Sequence, residues 1–181
     1  MTIATAWGVT AAEQDGSYPC DALVPAPARR LFRGVDVAAP PDVVYRWLCQ
    51  FRVAPYSYDW IDNGGRRSPR RPLPWTWDLE VGQTFSRIFT LVSFVPDEHL
   101  TVRMNRSGSR LFGDVAVTYA VLAAGPSRSR LVAVLRTPQP TGRVGSVGTW
   151  LLAWGDLVMM RKQLLTFARL AAAEHRAQSS V

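Results

Sequence analysis

Two phenols and a carboxylate fall close together at Tyr56, Tyr58 and Asp59, and Trp60 follows directly. Beside an apolar cavity, such a group can position a ligand carbonyl or move a proton. Asp59 would serve as base or orienter, and Tyr58 would donate to a developing oxyanion. The same residues also suit a structural turn, with Asp59 accepting backbone hydrogen bonds and Trp60 anchoring the segment. A second carboxylate, Asp156, stands among Trp150, Leu151, Trp154, Leu157 and Val158. In apolar surroundings a carboxylate must be paired or must hold its proton more tightly than usual. Met160 lies four residues on and Arg161 five, so no i,i+4 partner exists on the same helix. The partner of a buried Asp156 must then come from another element, such as a strand arginine; a structural ion pair or an exposed helix position remain open alternatives. Tyr58, Asp59 and Asp156 are the candidate acid–base groups, and no catalytic assignment is fixed among them.

Tyr45, Trp47, Phe89, Met104, Tyr119 and Trp154 are candidates for a pocket lining, with plain core packing as the alternative for each. Seven tryptophans in 181 residues supply wide flat apolar surfaces that suit a ring-shaped ligand. Other chemistries are poorly served. His99 and His175 are the only histidines, and Cys20 and Cys49 the only cysteines. They make neither a multi-histidine metal site nor a disulfide framework. Gly142-x-x-Gly145-x-x-Gly148 has the wrong spacing for a dinucleotide fingerprint and reads as a loop at a cavity mouth. No cofactor is expected. Arg66-Arg67-Ser68-Pro69-Arg70-Arg71 is a compact basic loop, suited to phosphates, to anionic headgroups or simply to water. No nucleic-acid-binding signature accompanies it.

The elements that must carry these residues can be read from periodicity. Hydrophobic residues are 48% and charged residues 19% of the chain, a globular composition. The net charge of +7 is almost all arginine, since Lys162 is the only lysine. Residues 1–30 read as an extended arm over a single domain, 31–176, with a tail at 177–181. Leu31–Ala38 alternates as a strand, and Ala39-Pro40-Pro41-Asp42 starts a helix with the apolar stripe Val43, Val44, Trp47, Leu48, Phe51. Strands are expected at Trp75–Leu79, Thr84–Val95, His99–Asn105, Asp114–Ala123 and Arg130–Thr137, separated by turns at 96–98 and 124–127. Thr84–Val95 reads as apolar on both faces, with Phe85, Phe89 and Leu91 on one and Ile88, Val92 and Phe94 on the other. A long helix covers about Ser146–Arg176. Val144–Met160 is apolar except for Asp156, falls short of a membrane span and reads as a buried helix. Met1–Gln14 shows no basic stretch followed by an apolar run, so a cytoplasmic location is expected.

The segments VDVAAPPDVVYRWLCQF (35–51), YSYDWIDN (56–63), LEVGQTF (79–85) and DLVMMRKQLL (156–165) resemble, in this order, the SRPBCC superfamily. That superfamily includes START-related lipid carriers and polyketide cyclases, and the likeness is to a bacterial subgroup of unassigned function. The resemblance implies an α+β helix-grip fold: a curved antiparallel sheet wrapped around a long C-terminal helix, with an apolar cavity between them. It also implies binding of a small hydrophobic, cyclic ligand, lipid or polyketide-like. The alternative is a cyclase or dehydratase using Tyr58, Asp59 and Asp156 as acid–base groups. A further alternative is a partner-binding module acting through Arg66–Arg71. On these readings Tyr56 and Trp60 join Tyr58 and Asp59 in the ligand site. No metal, membrane span or nucleic-acid partner is expected, and the oligomeric state stays open.

Overall fold

In the computed structural model, residues 2–139 and 142–180 are described; the side chains of Leu111 and of residues 142–154 lie outside that description. The alternation of the first long strand, β2 (Ala28–Val37), organises the molecule. A short β1 (Ala6–Trp7), α1 (Ala11–Asp15) and a 3-10 turn at Pro19–Ala22 precede it. Leu31, Val35 and Val37 of β2 point to one face and enter the main core, whereas Phe32 points to the other. β7 (Arg128–Pro138) pairs antiparallel with β2 along its whole length and repeats the pattern. Its Leu131, Ala133 and Leu135 face inward and its Val132 and Val134 outward. A sheet apolar on both sides has to be covered on both.

The outer face is covered by the arm. Cys20 and Val24 pack on Phe32, Ala116, Val132 and Val134. The amide of Cys20 donates to Thr118 Oγ1 at 3.0 Å, and its thiol to the Val134 carbonyl at 3.3 Å. Glu13, held in a capping box with Thr10, takes two hydrogen bonds of 2.9 Å from Arg130. Buried in this way, the Cys20 thiol is pushed up, and that of Cys49 rises to about 12, so neither is a poised nucleophile.

The inner face is covered by helices. After β2 come α2 (Pro41–Cys49), a 3-10 turn at Gln50–Arg52 and α3 (Asp59–Asp62). The strands β3 (Thr84–Phe85), β4 (Phe89–Val95) and β5 (His99–Met104), the helix α4 (Arg106–Phe112) and the strand β6 (Ala116–Gly125) follow. The sheet order is β1-β2-β7-β6-β5-β4-β3, with every pair antiparallel except β1 beside β2. The long C-terminal α5 (Gly142–Ser179) crosses the inner face. Its Leu164, Phe167 and Ala171 pack with Val44, Trp47 and Leu48 of α2 at one end of the sheet. Phe167 also stacks on Tyr56, ring centroids 4.9 Å apart, which holds the segment before α3 to α5. Among the described residues no helix is long and apolar enough to cross a membrane; most of Val144–Met160 lies outside the described side chains.

Four local expectations are corrected. Gly142–Gly148 is no loop, because α5 already begins at Gly142. Trp75–Leu79 is no strand: Pro74–Thr76 is a 3-10 turn, started by the fixed φ of Pro74. Thr84–Val95 is two strands, because Ser86 and Arg87 adopt left-handed φ of 42° and 66° and reverse the chain. A bulge between Leu91 and Ser93 then shifts the alternation. Phe85, Phe89, Leu91 and Phe94 consequently all pack on the main core, so this segment is not apolar on two faces. Finally, Asn105 does not continue β5 but caps α4, its side chain accepting from the amides of Ser107 and Gly108 at 3.0 Å.

Truncating Phe167 tests how far the grip of α5 sets stability. Phe167→Ala is expected to cost about 3–5 kcal/mol, the range for a fully buried phenylalanine, in urea unfolding followed by circular dichroism. A loss below about 1 kcal/mol would show that α5 is not integral to the core.

Candidate functional site

The inner face is filled at the α2 end and hollow at the other. There, a cavity of about 750 Å³ lies between the sheet and the part of α5 around Asp156–Gln163, within the size range of small-molecule sites. Leu31, Val117, Tyr119 and Leu135 form its floor, Phe51, Phe89 and Met104 one wall, and Met159 and Met160 its roof. The rings of Phe51 and Tyr119 are 5.5 Å apart and those of Phe51 and Phe89 5.7 Å, so the aromatic wall is continuous. Ile61 of α3 and Phe112 of α4, both exposed, and Arg29 and Arg87 also line it.

Polar groups in this lining are few and held. Asp156 accepts from Arg33 Nη2 at 3.0 Å; the Arg33 side chain is fully buried, while that of Asp156 is 25% exposed. Arg33 also donates to the carbonyls of Phe32 at 2.8 Å and Ala4 at 2.9 Å. Burial pushes the Asp156 carboxyl up to about 6, and the Arg33 guanidinium opposes that rise. The Tyr119 hydroxyl donates to Gln163 Oε1 at 2.8 Å, and Gln163 Nε2 donates to the Pro55 carbonyl at 2.7 Å. Burial, and then the charge of Asp156, raise the Tyr119 phenol, which stays protonated. Asp62 accepts a short hydrogen bond from Ser57, its Oδ1 is buried with no partner, and burial raises its pKa. Among the described residues no group of His, Cys, Asp and Glu could hold a metal ion.

Of the residues singled out in the sequence, Phe89, Met104, Tyr119 and Asp156 come together in this lining. Tyr45 and Trp47 sit in the solid core under α2, the Tyr45 hydroxyl and Trp47 Nε1 both buried without partners. Tyr56 is buried and donates to Gln50 Oε1 at 3.1 Å. Asp59 accepts from the amide of Ser68 at 2.8 Å and from its hydroxyl at 2.5 Å, and so pins the arginine loop at its middle. Tyr58 lies under the ammonium of Lys162, outside this lining, and Trp60 is 75% exposed. Trp154 lies outside the described side chains. Neither His99 nor His175 lines the cavity.

Arg33, Gln163 and Asp62 are polar groups of the site that sequence reasoning missed. A signal existed for two of them. Arg33 occupies the inward phase of β2 between Leu31 and Val35, and Gln163 follows Asp156 by seven residues, two helical turns on one face. Asp62 had none, since the segment before β3 shows no period.

No protein-family model matches this sequence, and no curated protein matches it. Solved structures do. A protein from Nitrosospira multiformis superposes with a TM-score of 0.50 at 14% identity, over 84% of this chain and 99% of that one. The di-domain ARO/CYC StfQ from the steffimycin biosynthetic pathway gives 0.47 at 12% identity, over 85% of this chain and 52% of that one. The chain thus spans about half the length of that di-domain protein. Zhui aromatase/cyclase from Streptomyces sp. R1128 gives 0.47 at 10% identity, over 84% and 96%. At such identities the likeness is one of architecture; the sheet order and the long C-terminal α5 across its inner face are those of an α+β helix-grip fold.

The raised Asp156 value has a sign that can be tested. A carboxyl that holds its proton more tightly folded than unfolded lowers stability as pH rises from its ordinary value to about 6, and adds no slope above that. Arg33→Met removes the opposing cation, so the Asp156 midpoint is expected to climb above about 6 in a carboxyl carbon NMR titration. A midpoint unchanged or lowered would show that Arg33 is not its counter-charge.

Proposed function

We propose that this chain binds a small, largely apolar, cyclic ligand in the cavity under α5. The observation that carries the reading is the cavity itself: about 750 Å³ walled by aliphatic and aromatic side chains, with a few fixed polar groups. Burial of apolar ligand surface supplies the affinity, at about 25 cal/mol per Å². Tyr119, Gln163 and Asp156 set the orientation, because an unpaired polar ligand group would lose hydrogen bonds there. A flat ring system suits the wall of Phe51, Phe89 and Tyr119.

A cyclase- or dehydratase-type reaction is the second reading, and one observation favours it. Two carboxyls, Asp156 and Asp62, line the cavity, and Asp156, with its value near 6, exchanges a proton close to neutral pH. Tyr58 and Asp59 border other surfaces, so in this reading Asp156 takes the acid–base role and Tyr119 hydrogen-bonds the ligand. As a base, Asp156 would give activity rising through about pH 6; as an acid, activity falling through it.

Native mass spectrometry of freshly purified protein, followed by solvent extraction, tests the binding. A discrete apolar mass is expected, together with uptake of the neutral probe N-phenylnaphthylamine. Met104→Trp, which fills the cavity from a partly exposed position, is expected to lose both without a shift in Tm. A protein that is empty and takes up no probe would overturn the reading. The catalytic reading is tested with Asp156→Asn, which should keep probe uptake and lose conversion of the extracted compound.

A further inference from the structure

α3 stands between two hollows. Its Ile61 and Asp62 line the cavity, whereas Tyr58, just before it, lines a second depression of about 400 Å³ on the other side of α5. Leu157, Val158 and Leu165 give this groove an apolar floor, and Arg161, Lys162 and Arg169 edge it. No acidic residue lines it, and among the described residues these three cations have no carboxylate partner. Two of them are held in place by rings: the Arg161 guanidinium lies 5.3 Å from the centroid of Trp7, and the Lys162 ammonium 6.0 Å from that of Tyr58.

The lobe beside the groove carries the same two signals more strongly. Trp60 is 75% and Ile61 57% exposed on a four-residue helix. Arg66, Arg67, Arg70 and Arg71 follow, all exposed and all without a carboxylate partner among the described residues. The lobe is tied down: Asp59 holds Ser68 by two hydrogen bonds, and the amide of Tyr56 donates to the Ser68 hydroxyl at 3.2 Å. Its acidic residues are thus engaged inside the lobe, Asp59 with Ser68 and Asp62 with Ser57.

We infer that the α3 lobe and the adjoining groove form a docking surface for an anionic phospholipid bilayer. Trp60 and Ile61 enter the interface, where an indole is at home between hydrocarbon and water. Arg161, Lys162 and Arg169, with the loop arginines, take the phosphodiester headgroups. Exposed Trp60, Ile61, Val158 and Leu165 gain nothing from a nucleic-acid backbone, and hydrocarbon is what accommodates them. The surface borders the cavity mouth at Ile61, but it stands on the exposed residues alone and does not depend on the cavity holding a ligand.

Vesicle co-sedimentation tests this with the full chain. Tight, salt-sensitive binding is expected to phosphatidylcholine vesicles with about one-third phosphatidylglycerol, and little to phosphatidylcholine alone. Trp60→Ala should weaken binding about tenfold, and R161Q/K162Q/R169Q about a hundredfold. All four positions are exposed or half-exposed, so an unchanged Tm is the control for folding. Equal binding to both vesicle types, or anionic binding indifferent to Trp60→Ala, would overturn the proposal. So would absence of vesicle binding combined with a Tm raised by inorganic phosphate, which would make the groove a site for a soluble anion. N-phenylnaphthylamine uptake, measured on the same variants, reports separately on the cavity.

Discussion

A guanidinium with no exposed surface must be answered by acceptors, and in this fold the answer to Arg33 comes from three directions. Its own strand supplies the Phe32 carbonyl, the arm supplies the Ala4 carbonyl, and α5 supplies Asp156. Leaving such a charge without its partner would cost several kcal/mol, so the pair fixes which turn of α5 sits over β2. Once Asp156 is placed there, Met160 and Gln163 fall on the same face of α5, over Tyr119. The lower dielectric that makes the pair obligatory also raises the Asp156 carboxyl. Structure and chemistry at this point have one cause.

The cavity follows from how the two ends of the inner face are filled. At the α2 end, Trp47, Leu48 and Phe167 close the space between helix and sheet. At the other end the helix is held off by the chain of hydrogen bonds from Tyr119 through Gln163 to the Pro55 carbonyl. No large side chain from α2 reaches that end. Hydrogen bonding in place of close packing leaves the hollow, and the outer face, sealed by the arm, keeps the sheet rigid beneath it.

The sequence made the long-range plan readable where periodicity was strong. The alternation of β2, β6 and β7 and the apolar stripe of α2 were legible because burial on a fixed face demands a fixed period. Legibility failed where local geometry overrode pattern. Ser86 and Arg87 make a left-handed turn without glycine or proline, so Thr84–Val95 read as one strand. α4, with the sequence Arg-Ser-Gly-Ser-Arg, has weak intrinsic helicity and depends on the Asn105 cap. The need for a partner to Asp156, such as a strand arginine, was readable; that the inward-facing Arg33 of β2 is the one that meets α5 follows only from the tertiary fold. The orientation of Tyr56–Trp60 had no period to reveal it; the Asp59–Ser68 tie and the Tyr56–Phe167 stack decide it.

The net charge of +7 is likewise an uneven distribution. On the sheet three arginines are matched: Arg30 with Asp21, Arg130 with Glu13 and Asp36, Arg103 with Asp114. Arg46 is matched on the helices by Asp42 and Glu174, and Arg33 in the interior by Asp156. These pairs engage half of the 14 acidic residues, and Asp59 and Asp62 are engaged by serines. Of the fourteen cations without a carboxylate partner among the described residues, seven stand on the α3 lobe and the groove beside it: Arg66, Arg67, Arg70, Arg71, Arg161, Lys162 and Arg169. These seven flank the exposed Trp60 and Ile61, so positive charge and apolar surface stand together there, beside the cavity that Ile61 also lines.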